Sequence, residues 1–186
     1  MKCKTILIIL MLGILILSGC SPNENSNVPQ DQQQENQQEE DDIQPDLVTT
    51  PSQANNAEAF LNAAGSDGTW IIIVSNDLTI NEDIVLDGEF INNDQPARKI
   101  ALYEQDENRN VTARYTLTAP RLIVKSENTK IQNGTFIGDI YVEANGFQLI
   151  DTKLEGNLYY ANNGYKDSSS IEENSSITGN TEIKQP

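Results

Sequence analysis

Hydrophobic and polar positions divide the chain into three stretches with different predicted structures. An apolar run, broken only by Gly13, extends from Ile6 to Leu17. A polar stretch follows from Ser21 to Gln53 and contains no aromatic and no basic residue. From residue 54 onward, short apolar groups alternate with Asn, Asp and Gly, which is typical of strands separated by turns. The pattern therefore predicts a folded region that begins near residue 54.

The clearest pattern in the folded region is a repeat with a period of 18 residues. Its blocks are 121–138, 139–156 and 157–179, the last lengthened by an insertion around 166–174. Each block ends in glycine: Gly138, Gly156 and Gly179. Two apolar series recur at matching positions: Val124, Val142 and Tyr160, and then Phe136, Leu154 and Ile177. Because each block has its apolar residues in the same places, we expect the blocks to stack and bury a continuous core.

Shorter elements are predicted before the repeat. Apolar spacing of three and four predicts a helix over 54–64, with Ser52 as N-cap and Gly65 as the stop. The β-branched run Trp70–Val74 predicts a strand that is buried on both faces or nearly so. Further strands are predicted at Leu78–Ile80, Ile84–Leu86 and Phe90–Ile91, and turns at Asn145-Gly146 and Asn163-Gly164.

One segment, residues 99–118, does not follow the repeat. Two alternating runs flank a polar turn at Asp106–Asn110, which predicts a β-hairpin inserted between the strands. The hairpin carries Tyr103, Arg114 and Tyr115. Tyrosine rings present an apolar face with a polar tip, so these three residues are the candidate ligand-binding residues, with a sugar as the class of ligand.

The first twenty residues have the pattern of a secretory signal. Lys2 and Lys4 precede the apolar run, which is shorter than the roughly 20 residues that span a bilayer. The following Leu17-Ser18-Gly19-Cys20 resembles a bacterial lipobox. That resemblance implies a signal peptide over 1–19 and lipidation of Cys20, which would hold the protein at the cell membrane on the extracytoplasmic side. The alternative is an ordinary signal peptide with a chance cysteine.

Residues 20–53 are expected to be a disordered tether after the lipidated cysteine. The stretch 21–53 holds eight acidic residues, eight Gln and four Pro, so it cannot bury enough apolar surface to offset its ordering entropy. A flexible chain of this length spans about 30 Å. The expected organisation is therefore signal peptide, tether and a folded domain over 54–186.

The repeat, together with the predicted helix before it, resembles two families of parallel β-helix. A helix followed by a hydrophobic strand is similar to the N-terminal cap of pectate-lyase-like β-helices. Units such as Ile137-Gly138-Asp139-Ile140 resemble the bactofilin β-helix over about 121–183. The resemblance implies an all-β fold, a short right-handed β-solenoid with coils of 18 residues. That period also suits left-handed hexapeptide coils, but Lys130 and Gln148 occupy positions where those coils want aliphatic residues.

Composition narrows the function classes. The chain has 12 Lys and Arg, 28 Asp and Glu, and no His, for a net charge of −16. The absence of His excludes His-based nucleophile arrangements and His-ligated zinc. The charge argues against a nucleic-acid partner. The folded region also has no paired-Asp motif, so we expect no catalytic residue, no metal site and no cofactor.

Three functions remain open at this point. The first is a non-enzymatic structural, adhesive or binding role at the cell envelope, with a polysaccharide or an envelope protein as partner. The second is a carbohydrate-binding or polysaccharide-degrading accessory protein, for which Asp83, Asp87 and Arg114 would be the residues to test. The third is self-association into a bactofilin-like scaffold, which a helix at one end of the stack would oppose.

Overall fold

The computed structural model describes residues 51–184. The predicted signal peptide, Cys20 and the tether up to residue 50 lie outside the described residues. The helices are α1 (Ala57–Ala64) and α2 (Asn163–Asp167). The strands, in chain order, are β1 (Ser52–Ala54), β2 (Ile71–Val74), β3 (Leu78–Thr79), β4 (Ile84–Leu86), β5 (Ile91–Asn92), β6 (Gln95–Pro96), β7 (Arg98–Ala101), β8 (Tyr103–Gln105), β9 (Val111–Arg114), β10 (Thr116–Val124), β11 (Thr129–Gln132), β12 (Thr135–Val142), β13 (Gln148–Ile150), β14 (Lys153–Glu155), β15 (Leu158–Tyr160), β16 (Ser170–Ile171), β17 (Ser176–Ile177) and β18 (Thr181–Ile183).

The described chain is mostly β, and its two larger sheets are parallel, which confirms the all-β class. One sheet has six strands in the order β1-β2-β7-β11-β13-β16. The other has eight: β17-β14-β12-β10-β3 form its main path, β15 pairs with β12, β18 with β15, and β4 with β10. From β10 onward the chain passes back and forth between the two sheets, and each new strand pairs with a strand formed earlier in the chain.

The strand register confirms the period of the repeat. Val124 lies beside Val142, and Val142 lies beside Tyr160. In the second series, Phe136 lies beside Leu154 and Leu154 beside Ile177. The members of both series except Ile177 are at most 2% exposed. The repeated apolar positions therefore form two inward-facing rows that carry the core from strand to strand.

Glycines at the block ends allow the backbones to approach closely. Gly156 has a φ of +157°, and a Cβ atom there would lie 2.0 Å from the carbonyl oxygen of Gly138. The next positions form a polar row, since Asp139 accepts a hydrogen bond from the Asn157 backbone (2.9 Å) and Asn157 accepts one from the Asn180 backbone (2.9 Å). A larger side chain at the glycine position would separate these strands.

The first helix begins later than predicted. Asn56, not Ser52, is the N-cap: its side-chain oxygen accepts a hydrogen bond from the Ala59 N–H at 2.9 Å. Ser52 instead lies in β1, beside Ile72 of β2. The folded part thus includes Ser52 and Gln53, which the sequence pattern had assigned to the tether, because their backbone pairs with a sheet.

Three further predictions differ from the structure. Strand β2 is half-buried, because Ile71 and Ile73 lie on its outer face. Phe90 lies outside any strand, and Ile91–Asn92 pairs in an antiparallel hairpin with Gln95–Pro96. The predicted turn at Asn163-Gly164 is the first turn of α2, because the side chain of Asn162 caps a helix there.

The predicted hairpin is present but shorter than residues 99–118. Its antiparallel strands are β8 and β9 alone. Lys99 belongs to β7, which pairs with β2 and β11, and Thr118 belongs to β10, which pairs with β12. The parallel sheets therefore take both ends of the predicted segment, and only the middle projects as a hairpin.

Candidate functional site

The base of the hairpin carries a cluster of cationic and aromatic side chains. We call it the hairpin face and define it as Lys99, Tyr103, Arg114 and Lys130. Lys99 and Tyr103 share the outward side of the chain because Ile100 and Leu102, which alternate with them, are fully buried. Arg114 lies directly opposite Tyr103 in the hairpin. Cross-strand partners project on the same side, so Arg114 joins the same face.

Lys99 and Tyr103 contact each other across the intervening residue. The Lys99 ammonium donates a hydrogen bond to the Tyr103 hydroxyl at 3.0 Å and lies 5.2 Å from the ring centroid. Ala101 lies between them on the strand and is only 3% exposed, although it is on the outward side. The contact therefore places the Lys99 ammonium beside both the hydroxyl and the ring of Tyr103.

Arg114 is positioned by a strand of the neighbouring sheet. Its guanidinium contacts the Asp151 carboxylate at 2.5 Å and the Asp151 carbonyl oxygen at 3.3 Å. Both side chains remain more than a third exposed. The ion pair ties the hairpin to the end of β13 while leaving the guanidinium accessible to solvent.

Lys130 is the fourth member of the hairpin face, and its place there could not be predicted from the sequence. The register places Lys130 beside Lys99, with the two backbones in adjacent parallel strands. Such strands lie about 4.8 Å apart, so the two ammonium groups occupy one surface. The hairpin separates the two lysines along the chain, and therefore no spacing rule links them.

Tyr115 does not belong to the hairpin face. It follows Arg114 directly, so its side chain projects to the opposite side of the strand. There it packs against the core and is half-buried. A hydrogen bond with the Glu104 carboxylate is the main cause that raises the pKa of the Tyr115 hydroxyl. The three predicted ligand-binding residues thus divide into a pair, Tyr103 and Arg114, and a separate tyrosine.

Asp83 and Asp87, the carboxylates that a lyase or hydrolase would use, lie outside the hairpin face. Asp83 accepts hydrogen bonds from the Arg121 guanidinium, and this contact holds the pKa of that carboxyl below its usual range. Asp87 lines a cavity of about 350 Å³ together with Phe90, Ile91 and Lys125. Within residues 51–184, no group of three or more acidic side chains is placed to hold a metal ion.

Comparisons with known proteins do not assign this chain to a family. Family models, curated proteins and solved structures give no match to this chain. In the part of the chain that the structure describes, no helix is long and apolar enough to cross a membrane.

Proposed function

We propose that the chain is a lipid-anchored extracytoplasmic protein that binds an acidic polysaccharide of the cell envelope without degrading it. In this proposal residues 1–19 are a signal peptide, Cys20 carries the acyl anchor, and the acidic tether leads to the folded part. The lipobox-like Leu17-Ser18-Gly19-Cys20 supports the anchor, because two acyl chains on one cysteine give stable membrane attachment.

The folded part is, in the same proposal, a short right-handed β-helix. Support comes from the register, in which residues 18 apart along the chain lie side by side in successive strands. Support for the hand comes from the general rule that crossovers between parallel strands of one sheet are right-handed. Such a stack gives a rigid platform on which side chains of successive strands form rows.

The hairpin face is the proposed binding surface, because its side chains suit an acidic sugar. In a chain with a net charge of −16, Lys99 and Arg114 lie on either side of Tyr103, and Lys130 lies beside Lys99 in the next strand. Ammonium and guanidinium groups bind carboxylates, and the ring offers an apolar surface for a sugar. The chemistry that this face fits is therefore an anionic sugar polymer.

Binding by the full chain, extracted in neutral detergent, tests the proposal. Polygalacturonate is the acidic probe and dextran is the neutral one. We expect polygalacturonate to bind and dextran not to bind, and we expect binding to weaken with salt, which screens exposed charges. The double variant Lys99→Gln with Lys130→Gln should lose about tenfold or more in affinity, because it removes two neighbouring cations.

A matched control removes the same charge elsewhere. Lys125 and Lys166 are exposed and lie outside the hairpin face. The double variant Lys125→Gln with Lys166→Gln should therefore bind like the unmodified chain. Equal losses in the two double variants would contradict the assignment to the hairpin face, and equal binding of dextran would contradict an acidic ligand.

A further inference from the structure

The last strands of both sheets, β16, β17 and β18, leave core positions open to solvent. We call these three strands the C-terminal edge. Ile171 continues the row of Leu149, Ile177 that of Leu154, and Ile183 that of Tyr160. The three earlier residues are at most 2% exposed, whereas Ile171 is 39% and Ile183 is 45% exposed. Within residues 51–184, the core rows therefore end in isoleucines that no strand covers.

The backbone at the C-terminal edge also presents N–H and C=O groups that can pair with another strand. The N–H of Lys184 donates a hydrogen bond to the Tyr160 carbonyl at 2.9 Å, so the backbone N–H and C=O of Lys184 face the neighbouring strand β15. Backbone groups alternate sides along a strand, and the N–H and C=O of Ile183 therefore face away from β15. An edge of this kind is a template for pairing with another chain.

The first strands of the stack are covered differently. Helix α1 packs against β1, β2 and β4, and its Phe60 and Ala64 side chains are at most 1% exposed. The core is therefore covered by a helix at the end where the first strands lie, whereas the core rows reach the surface at the C-terminal edge. A contact through that edge uses the same surface of each copy and closes on itself as a pair.

We infer that two copies of this chain pair through β18, antiparallel, about a two-fold axis at Ile183. In that register Ile183 faces Ile183 of the second copy, and the outward-facing N–H and C=O groups of both residues form two hydrogen bonds. Glu182 then lies opposite Lys184 of the second copy, and Lys184 opposite its Glu182. The edge is therefore self-complementary in charge as well as in backbone pairing.

The neighbouring register is unfavourable for two reasons. An axis at Glu182 would place two carboxylates directly opposite each other, which destabilises a strand pair. It would also require the Glu182 backbone groups, which face β15, to turn toward the second copy. The observed order Glu182-Ile183-Lys184 thus favours the axis at Ile183 over the axis at Glu182. This pairing uses none of the residues of the hairpin face.

Light scattering on the full chain in neutral detergent, over a range of concentrations, tests the pairing. We expect a protein mass of twice that of one chain at high concentration, with dissociation on dilution. Glu182→Lys places two lysines opposite each other at both symmetric positions and should raise the dissociation constant about tenfold or more. Lys184→Glu should do the same with two carboxylates. The double variant Glu182→Lys with Lys184→Glu restores opposite charges and should recover the pairing.

The control is Glu173→Lys, which makes the same charge change on an exposed residue close to the C-terminal edge but outside the register. It should leave the dissociation constant unchanged. A chain that stays monomeric at all concentrations overturns the inference, as does growth into species larger than a pair. An equal effect of Glu173→Lys, or no recovery in the double variant, overturns the proposed register.

Discussion

At the residue scale, Arg98 is the one fully buried charged side chain among residues 51–184. Its guanidinium donates hydrogen bonds to the carbonyl oxygens of Ala63 and Ala64 at 2.8 Å, where α1 ends. It also stacks on the Phe90 ring at 4.1 Å. Burial lowers the pKa of Arg98 to about 10, so the side chain stays charged at neutral pH. Arg98 therefore ends the helix by satisfying carbonyl groups that have no partner within it.

Replacement of Arg98 tests that role. Arg98→Met keeps the aliphatic bulk but removes the side-chain donor to the carbonyl oxygens of Ala63 and Thr69, whereas the Ala64 carbonyl still accepts a hydrogen bond from the Asp87 N–H. We therefore expect a loss of about 2–4 kcal/mol in the free energy of unfolding. Urea unfolding of the full chain measures the loss. The control Lys125→Met removes an exposed cation and should change the same quantity by less than about 0.5 kcal/mol. Equal effects of the two substitutions would contradict a structural role for Arg98.

The Asp83–Arg121 pair gives a pH dependence with a defined sign. The hydrogen bond from Arg121 lowers the pKa of Asp83 in the folded chain below the unfolded value of 3.8. The pair therefore stabilises the fold above that value, and its contribution is lost as the pH falls through the lowered pKa.

Thermal unfolding of the chain and of Asp83→Asn should reveal this dependence. We expect a lower melting temperature for Asp83→Asn at about pH 7, and we expect this difference to shrink as the pH falls through the lowered pKa of Asp83, because the carboxyl then becomes protonated in the folded chain as well. Arg121→Gln should behave like Asp83→Asn, and the double variant should add little. A difference that persists unchanged at acid pH would show that another contact is responsible.

At the element scale, the 18-residue repeat explains the core, and Leu154 tests it. Leu154 is fully buried between Phe136 and Ile177. Leu154→Asp buries an unpaired charge and should cost about 4 kcal/mol or more in the free energy of unfolding. Ile137→Asp is the matched control, because Ile137 is 36% exposed on the outer side of β12. The control should cost less than about 1 kcal/mol, and a similar loss in both variants would contradict the inward assignment of the row.

The sequence predicted elements that repeat and missed those set by single contacts. The rows through Val142 and Leu154 follow from the spacing of the blocks, because apolar residues recur at matching positions in each block, including the one that an insertion lengthens. The start of α1 was misplaced, because a capping asparagine and a strand pairing compete with Ser52. The ends of the hairpin were misplaced as well, since the parallel pairing of β7 with β2 and β11, and of β10 with β12, is visible only once the strands are aligned.

Only part of the candidate site could be predicted, because the rest depends on how the strands align. Tyr103 and Arg114 were predicted together, because both lie in one hairpin. Lys130 was not found, because only the strand register brings it beside Lys99. Tyr115 was assigned to the site by proximity in sequence, whereas the alternation of side chains along a strand places it on the other side.

At the scale of the whole molecule, the proposed anchor depends on Cys20. Cys20→Ala removes the acceptor of the acyl group, so the variant should lose incorporation of a palmitate analogue and should no longer be retained in the membrane fraction. Cys3→Ala is the matched control and should be labelled and retained like the unmodified chain. Equal labelling and retention of Cys20→Ala and the unmodified chain would contradict the lipid anchor.

The central claim is that the whole molecule binds an acidic polysaccharide and does not degrade it. The most direct measurement incubates the full chain with polygalacturonate, with and without Ca²⁺, and follows bound protein together with newly released reducing or unsaturated ends. We expect binding that depends on Lys99 and Lys130 and no release of ends above the buffer blank. Release of ends that is abolished by substitution of Asp83, Asp87 or Arg114 would contradict it.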